Sequence, residues 1–205
     1  MKVKMCGMTN VADALDAAEA GADSVGFIFV KTSPRYVTPE TARDIIQKLP
    51  PDVIPVGVFA NERRASILDI RDRTGIRCLQ LHGDETPEEC SGFPVPVYKA
   101  FRVGGDFRVE VLGTFDAAAY LLDTYRNGSY GGTGQTFDWN VAVAAKQFGK
   151  IVLSGGLTPE NIGDAIRIVH PHGVDVSSGV ESSPGKKDKN KMKEFVRRVQ
   201  EAACL

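Results

Sequence analysis

Short apolar runs of four to six residues recur along the chain, each followed by a polar turn and then a helix-like stretch. They fall at residues 2–6, 24–29, 56–59, 78–81, 97–100, 120–123, 151–154 and 173–176. Near-continuous apolarity over so short a span predicts strands covered on both faces, as in a parallel sheet. Helix starts are marked as clearly. Thr38-Pro39-Glu40, Thr86-Pro87-Glu88 and Thr158-Pro159-Glu160 each set a capping hydroxyl before a proline that suits the first helical turn. Ile162, Ala165, Ile166 and Val169 recur at helical spacing, as do Met192, Phe195, Val196 and Val199, which gives each segment one apolar stripe to lay on a sheet. The stretch from Phe101 to Ala117 is weakly patterned and contains Gly104-Gly105, so its helix, the fifth, is expected to be short or irregular. The fourth, near Glu85 to Ser91, is cut short before Phe93-Pro94.

Strands that alternate with helices imply a parallel sheet with right-handed crossovers, open or closed. Eight βα units, with no G-x-G-x-x-G after the first strand, favour closure into a (β/α)8 TIM barrel over a dinucleotide-binding sheet. At 205 residues the chain is near the low end for that architecture and reads as a single catalytic domain over residues 1–205. Its composition, 42% hydrophobic and 25% charged, suits a soluble protein with one large core. A net charge of -1 disfavours nucleic acid and anionic membranes as partners, so any anion must be met locally. No window approaches a membrane span. The N-terminus has no secretory pattern, and Cys6, Cys78, Cys90 and Cys204 lack paired spacing, so free thiols in a cytoplasmic setting are expected.

In a barrel of this kind the polar residues just past the strand ends converge on one mouth. Ser154-Gly155-Gly156 and Ser177-Ser178-Gly179 follow the seventh and eighth strands, where small residues let backbone amides approach a phosphate; tight turning alone would also explain the glycines. Cys6 ends the first strand. It is either a base facing the mouth, for which it must become a thiolate helped by a nearby positive charge, or a small buried hydrophobe. Asp123 ends the sixth strand, as a proton donor or as a carboxylate capping its own loop. Arg35, after the second strand, suits bidentate capture of a carboxylate, or stands as a solvated surface charge. His82 orients a ligand or caps its strand. Trp139, at a helix start, is expected to pack. The glycine-rich stretch from Tyr125 to Thr136 lies next to Asp123 and is a candidate lid.

With these residues in place, the chain resembles the phosphoribosylanthranilate isomerase family along nearly its whole length. The resemblance is carried by Val3-Lys4-Met5-Cys6-Gly7-Met8-Thr9, Ser33-Pro34-Arg35-Tyr36, Leu79-Gln80-Leu81-His82-Gly83 and Leu121-Leu122-Asp123-Thr124. It continues through Gly131-Gly132-Thr133-Gly134 with Phe137-Asp138-Trp139, Leu153-Ser154-Gly155-Gly156-Leu157, and Val174-Asp175-Val176-Ser177-Ser178-Gly179-Val180-Glu181, then Pro184-Gly185-Lys186-Lys187-Asp188. It implies an Amadori rearrangement of phosphoribosylanthranilate, a small-molecule substrate, with Asp123 as general acid and Cys6 as general base. It further implies Arg35 on the anthranilate carboxylate, Gly155, Gly156, Ser177 and Ser178 at the phosphate, and Asp175 on the sugar or beside Asp123. The substrate's own iminium nitrogen is then the electron sink, so neither a metal nor an organic cofactor is expected. Met5 and Met8 depart from the apolar residues usual in the family, which alters packing only. The assembly is a monomer or a homodimer. Two other readings stay open on the residues alone: a barrel isomerase or epimerase for another phosphosugar, and a metabolite-binding protein without turnover.

Overall fold

The structure is a computed structural model that describes residues 1–124 and 136–204. Eight parallel strands close into a barrel in chain order: β1 (Lys2–Cys6), β2 (Ser24–Ile28), β3 (Ile54–Phe59), β4 (Cys78–Leu81), β5 (Val97–Val103), β6 (Ala119–Thr124), β7 (Ile151–Leu153) and β8 (Gly173–Val176). Closure is made by β8 on β1, where Val3 pairs Val174 and Lys4 pairs Asp175. Most strand boundaries match the apolar runs within two residues. β5 is the exception, running three residues past Ala100 to Val103, because Arg102 and the following Gly104-Gly105 make this end read as loop.

Alternation along each strand separates two cores. Val3, Met5, Phe27, Leu79, Leu122 and Leu153 point outward and pack under the helices. Ala100, Ala119, Leu121 and Val152 form a smaller cluster in the barrel interior. Lys4 and Cys6 alternate with the outward Val3 and Met5, so the strand that buries two hydrophobes outside also carries an ammonium and a thiol inside.

Outside lie α1 (Val11–Ala20), α2 (Pro39–Ile46), α3 (Arg64–Thr74), α4 (Pro87–Cys90), α5 (Trp139–Ala145), α6 (Ile162–Val169) and α7 (Lys189–Ala203). Thr38 caps α2 by accepting from Thr41 N, and Thr86 with Glu89 forms a reciprocal capping box on the four-residue α4. At the third such signal the helix starts later. Thr158 accepts from Glu160 N, Asn161 Oδ1 accepts from Thr158 N, and this local turn delays α6 to Ile162. The weak fifth segment is a 3-10 helix, Val109–Thr114. Trp139 begins α5 after the Asp138 cap and is partly buried against the outer core. Nearly all of the proposed lid, every residue but Thr136, lies outside the described residues.

Between β8 and α7 the chain makes a 3-10 turn, Ser178–Val180, and an antiparallel hairpin of β9 (Glu181–Ser183) and β10 (Lys186–Lys187). Nothing in the polar run Glu181 to Asp188 alternates, so hydropathy alone misses it. Among the described residues no helix is long and apolar enough to cross a membrane.

Candidate active site

One pocket opens at the C-terminal ends of the strands, and all nine residues expected at the mouth line it: Cys6, Arg35, His82, Asp123, Gly155, Gly156, Asp175, Ser177 and Ser178. On the β1 side the end of the strand is held by its backbone. Gly7 N and Met8 N both donate to Gly26 O, and Cys6 O accepts from Ser177 Oγ at 3.1 Å and from Lys187 Nζ at 2.6 Å. Gly7 has φ +83°, and a Cβ there would lie 2.6 Å from Arg35 Cδ, so glycine is what lets the arginine stem cross the strand end. Burial, with the charge of Asp175, holds the Cys6 thiol above its ordinary range, and Lys4 and Lys187 offset only part of that rise.

Arg35 does meet a carboxylate bidentately, but one of the chain's own. Its Nε and Nη2 donate to the two oxygens of Glu181, each at 2.7 Å. The surface-charge reading fails, since Arg35 is buried, and of its five N–H donors a ligand is left with the two on Nη1 and the second on Nη2. Glu181 also accepts from Lys187 at 2.9 Å. Burial alone would raise the Glu181 carboxyl; Arg35 and Lys187 more than offset it and hold it below the usual range. Lys187 is pushed down by burial despite that partner.

Asp123 is placed by β6. Its Oδ1 accepts from Thr124 N at 2.9 Å and its Oδ2 lies 3.3 Å from His82 Nε2, while Gln80 Nε2 meets His82 Nδ1 at 2.9 Å. The capping role foreseen for Asp123 is therefore real and coexists with a place in the pocket. Asp175 makes no hydrogen bond to Asp123. Its partner is Lys4, whose Nζ donates to Oδ1 at 2.9 Å across two buried side chains. Burial lifts the Asp175 carboxyl above its ordinary range, Lys4 opposes this, and the charge of Asp123 adds to it.

The last two strand ends are packed against each other. A Cβ at Gly179 would fall 1.9 Å from Leu157 O, and one at Gly155 would fall 2.4 Å from Thr124 N and Thr124 Oγ1. Gly155 and Gly156 take φ of +81° and +68°, open to glycine at little cost. The backbone N–H groups of Gly155, Gly156 and Ser178 have no hydrogen-bond partner among the described residues, which is the condition an anion needs. No group of three or more His, Cys, Asp or Glu among the described residues is arranged to hold a metal ion.

Four further residues shape the site and were not singled out from sequence: Lys4, Gln80, Glu181 and Lys187. A signal existed for the first two, because Lys4 and Gln80 each stand two residues before a chosen site residue, on the same face of the strand. Glu181 and Lys187 gave none in hydropathy, since ionic groups near glycines read as loop, although both stand in the motifs that carry the family resemblance.

The family model for N-(5'phosphoribosyl)anthranilate (PRA) isomerase matches residues 3–198. An N-(5'-phosphoribosyl)anthranilate isomerase of Pelobacter propionicus is 50% identical over 201 residues, covering 98% of this chain and 96% of that one. Among solved structures, phosphoribosyl anthranilate isomerase from Thermotoga maritima superimposes with a TM-score of 0.91 at 44% identity, covering 98% and 99% of the two chains. Another, in complex with reduced 1-(o-carboxyphenylamino)-1-deoxyribulose 5-phosphate, gives 0.87 at 42% identity with the same coverage.

Proposed function

The chain belongs to the N-(5'-phosphoribosyl)anthranilate isomerase family and is an isomerase of tryptophan biosynthesis, and from that premise we propose that Asp123 and Cys6 carry its proton transfers. The reaction converts N-(5'-phosphoribosyl)anthranilate to 1-(2-carboxyphenylamino)-1-deoxyribulose 5-phosphate. The phosphate sits on the free amides of Gly155, Gly156 and Ser178 with the Ser177 and Ser178 hydroxyls beside it. Arg35, fixed by Glu181, turns its remaining N–H groups to the anthranilate carboxylate.

Asp123 protonates the ribose ring oxygen. The bond from that oxygen to C1 breaks, and the anthranilate nitrogen lone pair forms the iminium. Its positive charge acidifies the neighbouring C2–H, and the Cys6 thiolate takes that proton while the C–H electrons run to nitrogen. The resulting enol becomes the ketone when C1 gains a proton and the C2 hydroxyl loses one, so the proton that Asp123 gave is matched by one released. His82 holds the Asp123 carboxyl, and Asp175 lines the wall between acid and base.

One observation supports this reading above the rest: the thiol on β1, the carboxyl on β6 and the unpartnered amides after β7 and β8 all line one pocket. Mixing the purified protein with phosphoribosylanthranilate and following the loss of anthranilate-type fluorescence tests it. Steady consumption is expected, and a folded protein that leaves the signal unchanged refutes it.

A further inference from the structure

A thiolate inside a barrel must be stabilised by something other than water. The charged groups around the Cys6 sulfur come from four elements: Lys4 on β1, Asp175 on β8, Lys187 on β10, and Arg35 after β2, with Glu181 on β9 behind the last two. Most of these are already occupied. The Lys187 ammonium has three N–H donors and three acceptors, namely Cys6 O, Ser177 O and Glu181 Oε1. Arg35 is bound by Nε and Nη2 to Glu181.

Lys4 is different. Its side chain is buried, its ammonium gives one N–H to Asp175 Oδ1, and two donors remain. Gly26, paired with Cys6 across the β1–β2 ladder, shows where they point: a Cβ built there would lie 2.7 Å from Cys6 Sγ and 3.2 Å from Lys4 Nζ. Sulfur and ammonium therefore close on the same small space, one that a side chain on Gly26 would fill.

The geometry points to Lys4 as a positioning residue of the reaction: its ammonium, clamped by Asp175, stabilises the thiolate that Cys6 forms under the sugar. This rests on the reading of Cys6 as the base. Lys4 touches no substrate atom and acts through the sulfur alone. Asp175 then has a second duty, keeping the ammonium charged and aimed.

The test is the pH dependence of iodoacetamide alkylation at Cys6, which is buried but lines the open pocket, read peptide by peptide by mass spectrometry in a Cys204→Ser background so that Cys78 and Cys90 are scored separately. In Lys4→Gln the midpoint should move up by about one pH unit or more, with a loss of about tenfold in kcat/KM at neutral pH. A purely structural role for Lys4 would lower the yield of folded protein and leave that midpoint alone. An unchanged midpoint in folded Lys4→Gln overturns the inference. Should the variant fail to fold, the wild type answers instead: the Lys4 Nζ resonance is expected to shift with the same midpoint as alkylation, and a resonance blind to Cys6 overturns the inference too. Turnover of Cys6→Ser separates the two levels. Full activity there removes Cys6 as base, whereas an inactive Cys6→Ser with an unshifted Lys4→Gln removes only the role of Lys4.

Discussion

On the β8–β1–β2 flank of the pocket each charged side chain has a buried counter-ion, Lys4 with Asp175, and Arg35 and Lys187 with Glu181. On the β4–β6 flank Asp123 accepts one backbone N–H and faces a histidine at 3.3 Å, and beside it Gln80 Oε1 and Thr124 Oγ1 are buried with no hydrogen-bond partner among the described residues. The charges of the thiol flank are paired before any ligand arrives. The carboxyl flank has open valences, which the hydroxyl groups of a ribose are suited to meet. A base needs a fixed charge environment to exist at all, whereas an acid that must release a leaving oxygen gains from contacts that form only with substrate.

The largest effects should come from the two reacting groups. Cys6→Ser and Asp123→Asn are each expected to lower turnover by about 100-fold or more while the barrel still forms, as judged by circular dichroism and steady-state rates. Next comes the ionic cluster. Glu181→Gln leaves Arg35 and Lys187 as buried cations without a carboxylate, so urea unfolding should show a loss of about 3–5 kcal/mol. A cost under about 1 kcal/mol would show that this flank is no more tightly built than the other. Arg35→Ala should raise KM several-fold more than it lowers kcat, because it removes contact to a group remote from the reacting carbons; an unchanged KM breaks the assignment. Smallest of all, Gln80→Met on the carboxyl flank removes an unpartnered oxygen together with the hydrogen bond to His82 Nδ1, two effects of opposite sign, and should change unfolding stability by at most about 1 kcal/mol.

Hydropathy made the barrel legible because eight strands buried on both faces leave eight short, near-continuous apolar runs. Where strand ends turn polar, as at Arg102 in β5, the same signal stopped short. The third capping signal misled because Thr158 and Asn161 satisfy each other's turn before the helix begins. Residues that face the ligand were legible from their position after a strand. Those that hold them were less so: Glu181 and Lys187 act through a hairpin whose sequence shows no period, and Arg35 looked free until its partner 146 residues away was placed beside it.

The claim that everything else depends on is that thiol and carboxyl address one ribose anchored at the last two strand ends. A crystal structure with the reduced product analogue bound measures it directly. The account predicts the phosphate on the Gly155–Gly156 and Ser177–Ser178 loops, with Cys6 Sγ and the Asp123 carboxyl each within about 3.5 Å of the sugar. An analogue seated with its phosphate elsewhere, or with either group turned away from the sugar, would contradict it.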